Sequence, residues 1–270
     1  MGCHLSRPSQ NTLQCTGQLG AGNYTIDGSV SSQFISGLLF ALAIIPGDNH
    51  LKITGKLESR PYVDMTIQAL SVFGVRITND LVRGHLPFSS PENIYAEGDW
   101  SNAAFFLCAN SLGSSIKLNG LQYNSSQGDK TVVSILPQMT SFIRIDAADI
   151  PDLVPVLAVT AGAQNGAIFT NIQRLRYKES DRVAAIAEML EKLGAKIEIT
   201  ENTLTVYPCN YRGCVIDSHG DHRIAMSAAI AATVSTSPIT ILDAHCVCKS
   251  YPAFWSDYES LGGHYVQYVR

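Results

Sequence analysis

The sequence predicts an α/β protein built from a repeated unit of strand, buried helix, strand, amphipathic helix and strand hairpin. Three observations carry this expectation. Four apolar, small-residue-rich runs each open on a polar residue, at Ser31 (SSQFISGLLFALAI), Ser101 (SNAAFFLCANSL), Asp152 (DLVPVLAVTAGA) and Asp221 (DHRIAMSAAIAATV), spaced by 70, 51 and 69 residues. Amphipathic runs ending in glycine follow the first and the third. Short strand patterns begin directly after those glycines.

In chain order, the run at Ser31 reads as a serine-capped helix that is apolar nearly all round, hence buried on most sides. VDMTIQALSVFG is its amphipathic companion, stopped at Gly74, and GVRI starts the hairpin. The run at Ser101 repeats the buried helix. From the end of its companion near Met139 to Asp152 there is space for only one strand, IRIDA, where the neighbouring units have space for two. About one strand and its turn are missing there, in keeping with the 51-residue spacing. In the third unit Asp152, behind Pro151, opens the buried helix as a capping acid. Val183, Ile186, Leu190 and Leu193 then recur at helical intervals after a cap at Ser180 or Asp181, Gly194 ends that helix, and GAKIEIT and LTVYPC form the hairpin. Asp221 opens the fourth buried helix, and the strand PITILD follows it.

With 46% hydrophobic and 16% charged residues, the 270-residue chain can bury a sizeable core, which excludes a disordered polymer. Its 19 Lys+Arg against 23 Asp+Glu give a net charge of −4, without the basic footprint of nonspecific nucleic-acid binding. No nucleic-acid partner is expected, and any anion site must be a local cluster. The longest apolar stretch, Phe34 to Ile45, is twelve residues broken by Ser36 and Gly37. That falls short of the roughly 20 a membrane helix needs, so no membrane span is expected. The seven cysteines show no metal-type pairing with histidines and no secretory signal opens the sequence, so reduced thiols, no metal and a cytoplasmic setting are expected.

Polar residues crowd the starts of the apolar helices. Ser31-Ser32-Gln33 sets two hydroxyls and an amide beside free backbone N–H groups, an arrangement that binds phosphate or carboxylate; the plainer reading is a cap. Arg174-Leu175-Arg176-Tyr177-Lys178-Glu179-Ser180-Asp181-Arg182 holds four cations and two acids, a solvated charged loop or an anion site. His219-Gly220-Asp221-His222-Arg223 repeats the device and puts Arg223 in a helix's first turn, against the dipole. Something negative must face it: Asp221 on the plain reading, an anionic substrate on the other. His222 reads first as a hydrogen-bonded structural residue, and Lys249 as a strand-end lysine. Together these helix mouths suggest a cleft for a multiply charged anion.

The strings DGSVSSQFISGLL, SRPYVD, EGDWSNAAFF, IPDLVPVLAV, RYKESDR, DSHGDHRIAM and KSYPAFW, in this order, closely resemble the 5-enolpyruvylshikimate-3-phosphate synthase (3-phosphoshikimate 1-carboxyvinyltransferase) family. The resemblance covers most of the chain from about Gly22 onwards. The related UDP-N-acetylglucosamine enolpyruvyl transferases share the fold but not the KESDR and DHR strings. The resemblance implies a two-domain enolpyruvyl transferase fold of βαβαββ units closing like a clamp. Its first domain would be incomplete: residues 1–98 form its latter part and residues 99–270 the second domain, with the crossover at Gly98-Asp99.

By the same resemblance, Ser31, Ser32 and Ser59 hold the phosphate of shikimate 3-phosphate and Gln33 lies against its ring. Asp152 and Lys178 reach its hydroxyls, and Arg182, Arg223 and Lys249 clamp phosphoenolpyruvate, whose carboxylate and phosphate suit guanidinium forks. The implied reaction belongs to the shikimate pathway of aromatic amino-acid biosynthesis. The 5-hydroxyl attacks C2 of phosphoenolpyruvate while C3 is protonated, and the tetrahedral adduct then expels phosphate. Glu179 is the implied proton donor to C3, tuned by Lys178, and Asp152 the partner of the attacking hydroxyl. No metal, cofactor or covalent enzyme intermediate is implied. Family members begin well upstream, where a lysine, an arginine and a glycine-rich loop complete both anion sites; Arg7-Pro8 takes no role here. A chain shortened in this way is expected to bind its anions weakly. The alternative is a noncatalytic fragment, or half of a split enzyme whose partner chain supplies the missing N-terminal part.

Overall fold

A computed structural model describes residues 2–84 and 88–268. The chain divides into two compact units, Met1–Ala96 and Glu97–Arg270.

The first unit opens with an exposed antiparallel hairpin of β1 (Cys3–Ser9) and β2 (Thr12–Gly17). β3 (Asn23–Asp27), α1 (Ser32–Ile44), β4 (Gly47–Thr54), α2 (Arg60–Val72), β5 (Ile77–Thr78) and β6 (Leu81–Gly84) follow. β3 and β4 are parallel with α1 as their crossover, and the sheet order is β3-β4-β6-β5. Asn79 and Asp80 both have positive φ, the turn geometry that matches strand twist in a two-residue hairpin. Ile35, Leu39, Leu42, Leu51, Leu70 and Val82 form the core. The fully buried Asn49 donates its amide to the carbonyls of Leu42 and Ile45, 3.1 Å each, which satisfies the end of α1.

The expectation that the first apolar helix is buried on most sides does not hold. Ile35, Leu39 and Leu42 of α1 face the core, whereas Phe34, Phe40 and Ile44 are exposed. Among the described residues of this unit α1 packs chiefly on its sheet and α2, so its apolar content exceeds its supply of neighbours.

The second unit contains α3 (Trp100–Ser111), α4 (Val132–Ile135), β7 (Ile143–Asp146), α5 (Val154–Ala163), β8 (Ala167–Thr170), α6 (Arg182–Leu193), β9 (Ile197–Ile199), β10 (Thr203–Val206), β11 (Val215–Asp217), α7 (His222–Ala232), β12 (Thr240–Leu242) and α8 (Phe254–Ser260). Its main sheet runs β7-β8-β10-β9, the topology of the first unit again, and β11 pairs in parallel with β12. Here the all-round apolar helices are buried as expected. α3, α5 and α7 pack on one another, with every residue from Val154 to Gly162 and from His222 to Ala231 out of solvent. α6 is amphipathic, capped by Asp181, which accepts from the Ala184 N–H at 3.1 Å, and closed by Gly194 in the left-handed region (φ 109°). All seven cysteines are unpaired, and no helix among the described residues is long and apolar enough to cross a membrane.

Two local expectations are corrected. Asp152 does not cap: α5 begins at Val154, and its N-cap Leu153 offers no side-chain hydrogen bond. Asp152 points to cations instead, which outweigh one capping bond. The helix near Ser101 starts at Trp100 and is capped by Asp99, which accepts from the N–H groups of Ser101 and Asn102. The middle repeat lacks more than was expected. Its lone strand β7 pairs with β8 and so belongs to the next repeat, while three strands, β9 to β11, fill the equivalent stretch between α6 and α7. The shortfall is two strands, and no strand forms between β6 and β7 among the described residues.

Gly162 lies where a Cβ would clash with Tyr211 Oη, and that hydroxyl donates to the Val159 carbonyl at 2.6 Å. Gly162→Ala is expected to destabilise by about 1–3 kcal/mol through overpacking, and Tyr211→Phe by about 1 kcal/mol. In thermal melts the double variant should lose less than the sum, because Tyr211→Phe removes the clashing atom.

Candidate active site

The candidate side chains follow the C-terminal ends of parallel strands, where open α/β sheets gather ligands. In the first unit Ser31, Ser32 and Gln33 follow β3 and Ser59 follows β4. The two loops are strapped together: the Gly28 N–H donates to Thr54 O at 2.8 Å and the Glu58 N–H to Gly28 O at 3.3 Å. Ser31 caps α1, accepting from the Gln33 N–H at 3.2 Å; Gln33 is exposed, and Ser32 is buried. Ser59 is buried in the left-handed conformation (φ 52°) at the start of α2.

In the second unit Asp152 follows β7, Lys178, Glu179 and Arg182 follow β8, Arg223 follows β11 and Lys249 follows β12. These six residues form one charge network around Arg182, whose side chain is 1% exposed. Its Nε donates to Asp221 Oδ2 at 2.8 Å, Nη1 to Asp152 Oδ1 at 2.6 Å, and Nη2 to Glu179 Oε2 at 2.7 Å. Longer contacts run from Nη1 to Pro151 O and from Nη2 to Asp221 Oδ1, 3.4 Å each. Burial alone would lower the Arg182 pKa, but Asp152 and Asp221 overcome it and push the pKa up.

Asp152 is ringed by cations, with Lys178 Nζ 3.4 Å and Arg182 Nη1 2.6 Å from Oδ1 and Arg223 Nη2 3.5 Å from Oδ2. Burial works to raise its pKa, yet Lys178, Arg182 and Arg223 together hold the carboxyl well below the usual range. Lys249 Nζ donates to Glu179 Oε1 at 2.6 Å. Against the opposing effect of burial, that bond and Arg182 lower Glu179 to about 2. Both carboxyls are therefore ionised in the free protein.

Arg223 is held differently. Asp221 caps α7 by accepting from the Arg223 backbone N–H at 2.9 Å and gives its carboxylate to Arg182, so it is not the partner of the Arg223 side chain. The Arg223 guanidinium lies 5.9 Å over the Phe105 ring and makes two loose contacts, to Asp152 Oδ2 and to Asn102 Oδ1, both at 3.5 Å. Its Nε is buried without a partner among the described residues. A guanidinium so placed, against the dipole of α7, retains donors for an anion. His222 is buried and its Nδ1 has no hydrogen-bond partner among the described residues, contrary to the structural reading. Burial, then Arg223, lower its pKa and keep it neutral.

Sequence reasoning missed Asp129, Asn102 and the true partner of Asp221. Asp129 is buried, accepts from Ser101 Oγ, and lies in a one-turn helical loop after α3. Burial first and Asp152 second raise it to about 6. A cleft of about 400 Å³, lined in part by Asp99, Phe106, Leu118 and Tyr251, meets this network through Asn102.

A family model described as EPSP synthase (3-phosphoshikimate 1-carboxyvinyltransferase) matches residues 4–147 and 140–258. The 3-phosphoshikimate 1-carboxyvinyltransferase of Clostridium botulinum (strain Eklund 17B / Type B) is 40% identical over 288 residues, covering 97% of this chain and 66% of that protein. The Clostridium beijerinckii protein of the same name is 41% identical over 277 residues, covering 93% and 63%. The chain thus spans just under two thirds of the length of these relatives. Both alignments are longer than the chain's 270 residues, so the relatives carry residues within the matched span that this chain lacks. Among solved structures, EPSP synthase from Acinetobacter baumannii superposes with a TM-score of 0.77 at 23% identity, covering 97% of this chain and 68% of that one. The enolpyruvyl transferase NikO from Streptomyces tendae gives 0.72 at 18%, covering 97% and 69%. The fold is that of the enolpyruvyl transferases.

Arg182→Ala would strand the buried Asp221, and a loss of about 3–5 kcal/mol is expected in denaturant unfolding. Lys249→Ala, whose side chain is 56% exposed, should cost under about 1 kcal/mol. The depressed Glu179 contributes stability that is complete above pH 4.5, its ordinary value, and is lost as pH falls toward 2. In acid titrations followed by circular dichroism, Lys249→Ala should move that loss to higher pH.

Proposed function

The chain belongs to the EPSP synthase family, and on that premise we propose that it transfers the enolpyruvyl group of phosphoenolpyruvate to the 5-hydroxyl of shikimate 3-phosphate, releasing phosphate. The observation that carries this reading is the network itself: two ionised carboxylates set among four cations at the mouths of α5, α6 and α7. Such a site has charge of both signs to offer, cations for two polyanions and carboxylates for the protons that move between them.

Ser31, Ser32 and Ser59 hold the shikimate phosphate, Gln33 faces the ring, and Asp152 and Lys178 take its hydroxyls. Arg223 and Lys249, with donors to spare, grip phosphoenolpyruvate. Arg182 joins them by giving up its Glu179 contact. That exchange has a chemical consequence. An anion that draws Arg182 and Lys249 away from Glu179 removes the charges that keep it ionised, so its proton affinity rises beside the carbon to be protonated. Asp152 likewise becomes a better acceptor for the attacking hydroxyl once the substrates share Lys178 and Arg223. The 5-oxygen bonds to C2 as C3 takes a proton from Glu179 and Asp152 takes the hydroxyl proton; the adduct then collapses as the Glu179 carboxylate takes a proton back from the C3 methyl and the C2–O bond to phosphate breaks, which re-forms the C2=C3 double bond. In this reading residues 1–98 belong to the first domain of the clamp and residues 99–270 to the second, and the protein works in the cytoplasm on the route to aromatic amino acids.

Phosphate release from shikimate 3-phosphate plus phosphoenolpyruvate tests the reading directly: turnover supports it, and neither turnover nor heat of binding at high protein concentration overturns it. Because the chain spans just under two thirds of its relatives' length, a second reading has a partner polypeptide complete the clamp, and activity that appears only on mixing the two would favour it. In whichever form is active, Arg223→Ala should weaken phosphoenolpyruvate binding by about tenfold or more, the worth of a hydrogen bond to a charged group. Shikimate 3-phosphate affinity should barely move, and equal losses for both ligands would count against the clamp.

A further inference from the structure

One neutral side chain in the second unit touches both halves of the cation pair assigned to phosphoenolpyruvate. Asn102, half-buried in the first turn of α3, donates both hydrogens of its amide nitrogen, one to Asp99 Oδ2 at 2.9 Å and one to the Ser250 carbonyl at 3.2 Å. With the nitrogen so engaged, the amide oxygen faces the other way and accepts from Arg223 Nη1 at 3.5 Å. Asp99 is itself fixed, because its Oδ1 accepts from the backbone N–H groups of Ser101 and Asn102 at 2.8 and 3.2 Å as the cap of α3. Two acceptors on one side and a donor on the other suit a primary amide of this length. An aspartate would have no hydrogen to give Asp99 or Ser250, and a serine would lack the span.

We propose that Asn102 is a positioning residue for the phosphoenolpyruvate clamp: its amide oxygen sets the direction of Arg223 and its amide nitrogen pins the backbone next to Lys249. Phe105 lies three positions on, on the same face of α3, and its ring supports the guanidinium at 5.9 Å, so one helix face presents an edge contact and a flat contact to the same group. Ser250 follows Lys249 directly, and its N–H donates to Val247 O at 3.1 Å while its carbonyl is held by Asn102. The neutrality of the partner matters. Three carboxylates surround Arg182 and absorb its charge, whereas an amide orients Arg223 and leaves that charge for an incoming anion.

The inference rests on the reading that Arg223 and Lys249 bind phosphoenolpyruvate, and the test separates the two. In whichever form is active, phosphoenolpyruvate affinity is measured by calorimetry with saturating shikimate 3-phosphate for the wild type, Asn102→Ala, Arg223→Ala and the double variant. Melting temperatures are recorded alongside. Asn102→Ala should bind phosphoenolpyruvate about threefold to tenfold more weakly and shikimate 3-phosphate as before. In the Arg223→Ala background the same change should cost distinctly less, because part of its effect passes through the guanidinium already removed. An amide that only fastened α3 to the Ser250 loop would lower the melting temperature in both backgrounds and leave phosphoenolpyruvate affinity alone. Asn102→Ser keeps a polar group at the helix start and takes the place of the alanine variant if that one does not fold; the same split between the two ligands is expected. Unchanged phosphoenolpyruvate affinity, an equal loss for shikimate 3-phosphate, or an equal cost in both backgrounds would overturn the inference. A wild type that binds no phosphoenolpyruvate would instead overturn the functional reading on which it stands.

Discussion

The guanidinium of Arg182 is the point at which three loops of the second unit are tied together. Asp152 comes from the loop before α5, Glu179 from the loop after β8 and Asp221 from the cap of α7, and one buried side chain bonds to all three. Taking these charges out of water is unfavourable, and their attraction offsets that only when the geometry is good and the remaining donors are met. Arg182 meets both conditions. Its planar fork demands fixed directions from its partners, so it sets where the carboxylates of Asp152 and Glu179 stand.

That arrangement divides labour among the basic residues. Until an anion claims its Glu179 contact, Arg182 is committed to the protein; Arg223 is buried but loosely held, and Lys249 is exposed and reaches in to Glu179. A committed guanidinium gives shape, and an under-committed one gives affinity. The same division accounts for the protonation states: carboxylates saturated by cations are ionised when the site is free, and they recover basicity only as ligands compete for those cations.

Much of this was legible in the sequence because it is local. The caps at Ser31 and Asp181, the stop at Gly194 and the repeated strand–helix order each depend on residues a few positions apart. Failures came where distant partners decide. Pro151-Asp152 satisfies the local rule for a cap, yet Lys178, Arg182 and Arg223 claim the carboxylate. The sequence of α1 states how apolar the helix is, not how many neighbours its unit supplies. The basic and acidic members of the site announced themselves by clustering in RYKESDR and DHR. Asp129 and Asn102 could not, since the former meets Ser101 across 28 positions and the latter meets Arg223 across 121, and no spacing rule reaches so far.

The outer surface of α1 has a consequence of its own. Phe34, Phe40 and Ile44 stand in water on a helix whose Ile35, Leu39, Leu42 and Ala43 are in the core. Apolar surface of this kind is displayed by the folded unit itself and needs no unfolding to be exposed. Association through that face would start from the folded unit, and polar replacements at Phe34, Phe40 and Ile44 would weaken it while leaving the core of the unit untouched.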